Sequence, residues 1–240
     1  MVGSLYPVGA LGEKCFRGPA MTRIRLNITT EGETELKFVK NTLAIYLSKF
    51  DIDTFPRSVQ TSKGFRGGIT TYQKAKKDIQ AWLKQNSSSE WKFTTMFDLY
   101  GLPNDFPGYE DACKKNDAYE KVRVLEDAFE KDINDYRFIP YIQLHEFEAL
   151  IFADPEKLNL EFPDKEAAIQ KLVEIAREKN PELIDAHPDT APSKRIIKEI
   201  KFYEKNKSTS GPSVVQSIGL PHLKEKCKHF GEWITKLERL

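Results

Sequence analysis

From Arg23 onward, short runs that read as β-strands alternate with longer runs that read as helices, and this alternation constrains the fold more than any other feature. RIRLNITT sets Ile24, Leu26 and Ile28 on one side at period two, then yields to Leu36, Phe38, Val39, Leu43 and Leu47 at helical spacing. FPRSVQTS is a weaker strand, followed by the glycine-rich turn KGFRGGIT and a helix, TYQKAKKDIQAWLKQ, whose Tyr72, Ile79 and Leu83 share a face. WKFTTMFDLYGLP is a β-rich run closed by Gly101 and Pro103; the helix DAYEKVRVLEDAFEKDI and a last strand, RFIPYIQLHEF, come after it. The pattern predicts an α/β fold, a parallel sheet of about four strands flanked by helices.

After Phe152 the pattern changes. KEAAIQKLVEIAREK, SKRIIKEIKFYEK and FGEWITKLERL are helical stripes joined by Pro-rich connections, so residues 154–240 read as a helical C-terminal region behind an α/β domain over 21–153. QNSSSE and KNKSTSGP read as exposed loops. Residues 1–20 show neither period and Met21 directly precedes the first strand; they read as a leader, tag or disordered segment.

The 240 residues, 40% of them hydrophobic, suffice for one or two domains. Lys and Arg total 37 against 36 Asp and Glu, so no global field draws the chain to nucleic acid or membrane, and any anion-binding surface must be local. Without a signal-peptide sequence or a membrane-spanning run, a cytoplasmic protein is expected. Cys15, Cys113 and Cys227 are odd in number and scattered, and read as free thiols.

In a parallel α/β sheet, functional groups gather where strands end. Acids fall at three such ends: Glu31 after the first strand, Asp98 in the third, and Glu146 with Glu148 after the fourth. Converging carboxylates repel one another unless a cation sits among them, and hard oxygen ligands suit Mg²⁺ or Mn²⁺. Glu35, four residues beyond Glu31, shares its helical face, whereas Glu33 points elsewhere. Each acid alone has a plainer explanation: Glu33 and Glu35 suit a helix N-terminus, Asp98 suits a turn, and HEFE suits a helix start. Only their joint placement favours a metal site.

The order TTEGETE, FDLYGLP and LHEFEALIF resembles the Toprim domain of topoisomerases, primases and overcoming-lysogenization-defect nucleases. TMFDLYGLPNDFPG, RFIPYIQLHEFEALIF, PELI and APSKRI more closely resemble the Toprim-like bacterial family called domain of unknown function 4276, over nearly everything from Met21 to the C-terminus. The resemblance implies that Glu31 takes the place of the invariant Toprim glutamate beside a turn at Gly32, that Glu35 is the second glutamate of the nuclease branch, and that Asp98 opens the Asp-x-Asp motif. Tyr100 stands where the second acid of that motif is expected, with Asp105 or the pair Glu146 and Glu148 as substitutes.

The expected activity is divalent-metal-dependent phosphodiester hydrolysis, with Glu31, Glu35, Asp98, Glu146 and Glu148 as ligands. Lys194 is the candidate to neutralise the scissile phosphate; Arg195 and Lys198 extend a cationic face through Lys201 and Lys205, with Ser193 as N-cap. A solvated helix surface explains that face about equally well. Arg57, Lys63 and Arg66 form a second basic cluster, and His145 is a candidate substrate contact or partner to a metal-bound carboxylate. His222, Cys227 and His229 raise zinc, but without a fourth ligand capping or packing explains them better. The implied substrate is nucleic acid, DNA before RNA. The resemblance also implies an ABC- or SMC-type ATPase partner in anti-phage defence or DNA repair, while self-association stays open. The alternatives are a non-catalytic Toprim-fold binding or regulatory subunit and a small-molecule phosphohydrolase or nucleotidyl-transferring enzyme.

Overall fold

The structure is a computed structural model and describes residues 23–62, 65–66, 68–184 and 190–240. The chain enters as β1 (Ile24–Thr30), turns at Glu31 and Gly32, and continues as one bent helical segment: α1 (Glu33–Phe38), a π-helical turn over Val39–Leu43, and α2 (Ala44–Leu47). Then come β2 (Ile52–Ser58), the small hairpin of β3 (Gln60–Ser62) and β4 (Phe65–Arg66), α3 (Tyr72–Gln85) and β5 (Trp91–Asp98). After α4 (Tyr109–Cys113) and α5 (Ala118–Ile133), β6 (Phe138–Ile139) and β7 (Ile142–Gln143) complete the main sheet. The rest is helical: 3₁₀ turns over Phe147–Ala153 and Pro155–Leu160, α6 (Glu166–Glu178), α7 (Pro192–Glu199), α8 (Tyr203–Ile218), α9 (Leu220–Lys226) and α10 (Lys228–Leu237).

The main sheet has five strands in the order β2, β1, β5, β6, all parallel, with β7 continuing the β6 edge along β5. The expected last strand is therefore split. Pro140 has no N–H to give the ladder, and at Tyr141 the Thr95 hydroxyl substitutes, bonding both its N and O at 3.0 Å. Side chains alternate across the sheet as period two requires. Leu26, Ile28 and Met96 enter a core with Phe38, Phe147, Val214, Phe230 and Trp233. Phe93 and Phe97 enter the opposite core with Tyr72, Ile79, Leu125 and Phe129. The C-terminal helices thus cover one face, α3 and α5 the other.

Two helical expectations change. KNKSTSGP is no loop: it lies inside α8, with Ser210, Gly211 and Pro212 buried. Burial of this helix outweighs the weak helix propensity of Ser, Thr, Gly and Pro. Gly211 is needed there, since a Cβ would stand 2.9 Å from the Tyr203 hydroxyl. SKRIIKEIKFYEK is two helices, because α7 gives way at Ile200 (φ −129°) before α8 begins, and this divides the cationic face. No described helix is long and apolar enough to cross a membrane.

Candidate metal centre

Because every strand of the main sheet points the same way, the residues that end β1, β5 and β7 meet along one edge. Glu31 donates its N–H to Met96 O (3.1 Å), and its Oε2 accepts from Asp98 N (3.0 Å), tying the first acid to the next strand end. The turn after Asp98 must be glycine at 101: a Cβ there would lie 2.3 Å from Glu31 Oε1. Glu35 is buried, with Oε2 accepting from Gly32 N (2.8 Å), whereas Glu33 is exposed. Asp98 shares the parity of Met96 on β5 and so faces the C-terminal helices.

Those helices supply the partners of the remaining acids. Glu146 Oε1 accepts from Ser193 N (2.5 Å), and its Oε2 accepts from Ser193 Oγ (3.0 Å) and Lys207 Nζ (3.4 Å). Glu148 is wholly buried; Oε1 accepts from the Tyr203 hydroxyl at 3.0 Å and Oε2 lies 3.1 Å from Lys207 Nζ.

The electrostatics join these acids into one group. Burial, then the charges of Glu35, Glu31, Glu148 and Glu146, push the Asp98 carboxyl well above the usual range. Its Oδ1 is buried without a hydrogen-bond partner. Burial, reinforced by Glu31, brings Glu35 up to about 7. Burial likewise brings Glu148 up to about 7, with Lys207 opposing and Glu146 adding to the rise. Glu31 is raised by burial and eased by Asp98 N and Lys207. Burial works against the Lys207 ammonium, yet Glu148, Glu146 and Asp98 together hold it above its ordinary value.

All four glutamates expected at the site therefore act through their charge on Asp98. Among the described residues, the expected cations of α7 make no contact with them. Lys194 and Lys198 are exposed on α7, and Arg195 Nε donates to Thr190 O (2.8 Å). Ser193 is not the N-cap of α7, which is Ala191 followed by Pro192; its N and Oγ clasp Glu146 instead. Among the described residues the cation at the acids is Lys207, within the stretch read as a loop, and Tyr203, Lys207 and Gly211 recur every fourth residue on one face of α8. That spacing was the signal available in the sequence.

Tyr100, at the second-acid position, is tied to His145 twice: Tyr100 N donates to His145 O, and its hydroxyl meets His145 Nδ1, both at 3.0 Å. Asp105 does not supply the missing carboxylate; its Oδ1 accepts from Tyr72 N (2.9 Å) at the start of α3. Arg57 is engaged by Asp78 and lies over the Trp82 ring. Lys63 and the Arg66 side chain lie outside the described residues, as does Cys15. His222 bonds Ala153 O, Cys227 is a buried free thiol and His229 meets Glu126, so these three form no common site.

Among the described residues, no three His, Cys, Asp or Glu are grouped so as to hold a metal as they stand. The contacts above give the reason: Glu35, Glu146 and Glu148 are each turned to a protein donor, and the Lys207 ammonium balances two of them. In chemistry the set still suits a hard divalent cation, with carboxylate oxygens throughout and a buried Asp98 Oδ1 lacking a donor.

Fold and site thus describe an α/β protein with a carboxylate cluster at its strand ends. The chain belongs to the family described as Domain of unknown function (DUF4276), whose model matches residues 30–238. No curated protein matches it. Two solved structures of the C-terminal region of the OLD protein of Xanthomonas campestris pv. campestris are similar, each at 16% identity. The one phased with mercury covers 89% of this chain and 97% of its own with a TM-score of 0.37. The one phased with iodine covers 90% and 98% with a TM-score of 0.35.

Proposed function

We propose that this protein is a divalent-metal-dependent nuclease of Toprim type that hydrolyses phosphodiester bonds in DNA. The observation that carries the reading is Asp98: a carboxylate with a buried, partnerless oxygen, surrounded by Glu31, Glu35, Glu146 and Glu148. The sequence resemblance to Toprim nucleases assigns the same function to Glu31, Glu35 and Asp98.

The five acids would hold Mg²⁺ or Mn²⁺, which would neutralise their charge and acidify a water for attack on phosphorus. The chain's own residues prepare the site. Asp98 N and Gly101 fix the Glu31 carboxylate, Gly32 N fixes Glu35, and Ser193 holds Glu146. Lys207 balances Glu146 and Glu148 and is the cation best placed to meet a phosphate oxygen of the substrate. Exposed Lys194 and Lys198 suit phosphates farther along the strand. The ATPase partner is proposed on the sequence resemblance alone.

Tyr100 favours a second reading, a binding or regulatory subunit without catalysis, since a ring bonded to His145 stands where the second acid is expected. One experiment separates the two. Supercoiled DNA, single-stranded DNA and tRNA are incubated with the parent and Glu31→Ala proteins, with and without Mg²⁺ or Mn²⁺. Metal-dependent cleavage lost in the variant supports the nuclease; metal binding without cleavage supports the subunit.

A further inference from the structure

The donors at the strand-end acids are of two kinds. Asp98 N, Gly32 N and Ser193 N are backbone groups that the fold fixes, and they hold Glu31, Glu35 and Glu146 whatever else binds. Lys207 is different, because its ammonium ends a flexible four-carbon stem that is 36% exposed. It reaches two carboxylates and closes tightly on neither, standing 3.4 Å from Glu146 Oε2 and 3.1 Å from Glu148 Oε2. The second contact is an attraction between charges alone, since no hydrogen bond reaches Glu148 Oε2. Lys224 shows the tighter arrangement, with both oxygens of a single carboxylate, Glu238, at 2.6 and 2.7 Å. Two buried carboxylate oxygens, Asp98 Oδ1 and Glu148 Oε2, are thus left without a hydrogen bond, and Lys207 stands against the second. Among the described residues the acids are not grouped to hold a metal as they stand, and Lys207 is the part that can give way.

We infer that Lys207 is an exchangeable counter-cation: it gives up Glu148 when a divalent cation binds among the acids, and until then its charge opposes that binding. The inference rests on the metal-centre reading and concerns how that centre is loaded. An ammonium and a divalent cation repel one another strongly at the short distances of a half-buried cluster, so the two do not share Glu148. Leaving breaks no hydrogen bond to Glu148, and the stem keeps the freed ammonium on α8 beside the site, where it can meet a phosphate oxygen. Metal and phosphate then favour each other's binding through Lys207, by the reciprocity that governs linked sites.

The test titrates Mn²⁺ calorimetrically into the parent, Lys207→Met and Lys207→Arg proteins, with circular dichroism to confirm folding. Lys207→Met should bind Mn²⁺ at least about 10-fold more tightly than the parent, while Lys207→Arg, which keeps the charge, stays close to it. The rise in melting temperature on adding Mn²⁺ should likewise be larger for Lys207→Met. A measurement on the parent alone serves even where a variant fails to fold: acetylation of Lys207, followed by mass spectrometry, should speed up severalfold when Mn²⁺ is present. Equal or weaker Mn²⁺ binding by Lys207→Met, or acetylation that Mn²⁺ leaves unchanged or slows, overturns the exchange; Mn²⁺ binding by the parent then leaves the metal centre standing. Absence of Mn²⁺ binding in all three proteins overturns both.

Discussion

Two groups of buried acids sit in this molecule, and they are satisfied differently. At the β6 and β7 edge, Glu182 is wholly buried, but its oxygens accept from His229 N, Phe230 N and the Tyr119 hydroxyl at 2.9–3.1 Å, capping the first turn of α10. Nearby, Glu126 accepts from Ile142 N (2.8 Å) and meets His229 Nε2 (3.0 Å), closing the open side of the sheet. At the strand ends the acids repel one another, and Asp98 keeps an oxygen with no donor. Burial alone does not distinguish the groups, since it also raises the Glu182 carboxyl. Size does not either: a cleft of about 420 Å³ opens beside Glu126 and His229, and none of the strand-end acids lines it. The difference lies in Asp98. The other strand-end acids, like Glu182 and Glu126, accept from N–H, O–H or ammonium donors, whereas Asp98, with an oxygen left short amid their charges, is suited to a charge from outside.

The comparison is broken most forcefully by exchanging the consequences of mutation. Asp98→Ala should lower metal-dependent cleavage at least about 100-fold, more than loss of an outer-shell partner costs, while leaving the melting temperature unchanged or higher. Glu182→Ala should leave the chemistry of the cleavage step intact and cost about 2–4 kcal/mol in denaturant unfolding, because two buried N–H groups lose their acceptor. If Glu182→Ala abolished cleavage in a protein still folded, the division between the groups would fail.

Lys207→Met comes next. Removing the ammonium leaves Glu148 buried without its counter-charge, and since Lys207 is 36% exposed the expected loss is about 1–2 kcal/mol, read by urea titration in EDTA. Gains in stability would show that Lys207 does not hold the acids together.

A smaller effect concerns pH. Glu35 and Glu148 move from an ordinary 4.5 up to about 7 on folding, so the native state binds protons that the unfolded chain has already lost. Their contribution is whole below roughly 4.5 and disappears as pH rises through 7. In EDTA the melting temperature should therefore decline across that window, and added Mn²⁺ should restore more of it at pH 8 than at pH 5.5. A melting temperature that rises over the same interval, with Glu182→Gln as control, would contradict the shifts. Smallest of all, Lys194→Ala should reduce the salt slope of nucleic-acid binding by about one unit; an unaltered slope removes α7 from the contact surface.

What the sequence disclosed follows the periods. β1, α3, α5, α6 and α10 have one apolar face each, and their patterns locate them; parallel strands then bring Glu31, Asp98, Glu146 and Glu148 to one edge. The misreadings share a different cause. α8 is buried on several sides and spends Ser210, Gly211 and Pro212 on close packing, so its composition resembles a turn and conceals Lys207. Ser193 looks like a helix cap because its residue type favours caps, while its actual partner, Glu146, is 47 residues away. The left-handed His145 and the Tyr100 bond likewise depend on contacts between distant segments, which no local pattern records.

The most direct measurement is calorimetric titration of Mn²⁺ into the parent, Asp98→Asn and Glu182→Gln proteins at pH 8. Binding by the parent and Glu182→Gln but not by Asp98→Asn is the predicted result. Equal binding by all three would contradict a metal centre at the strand ends.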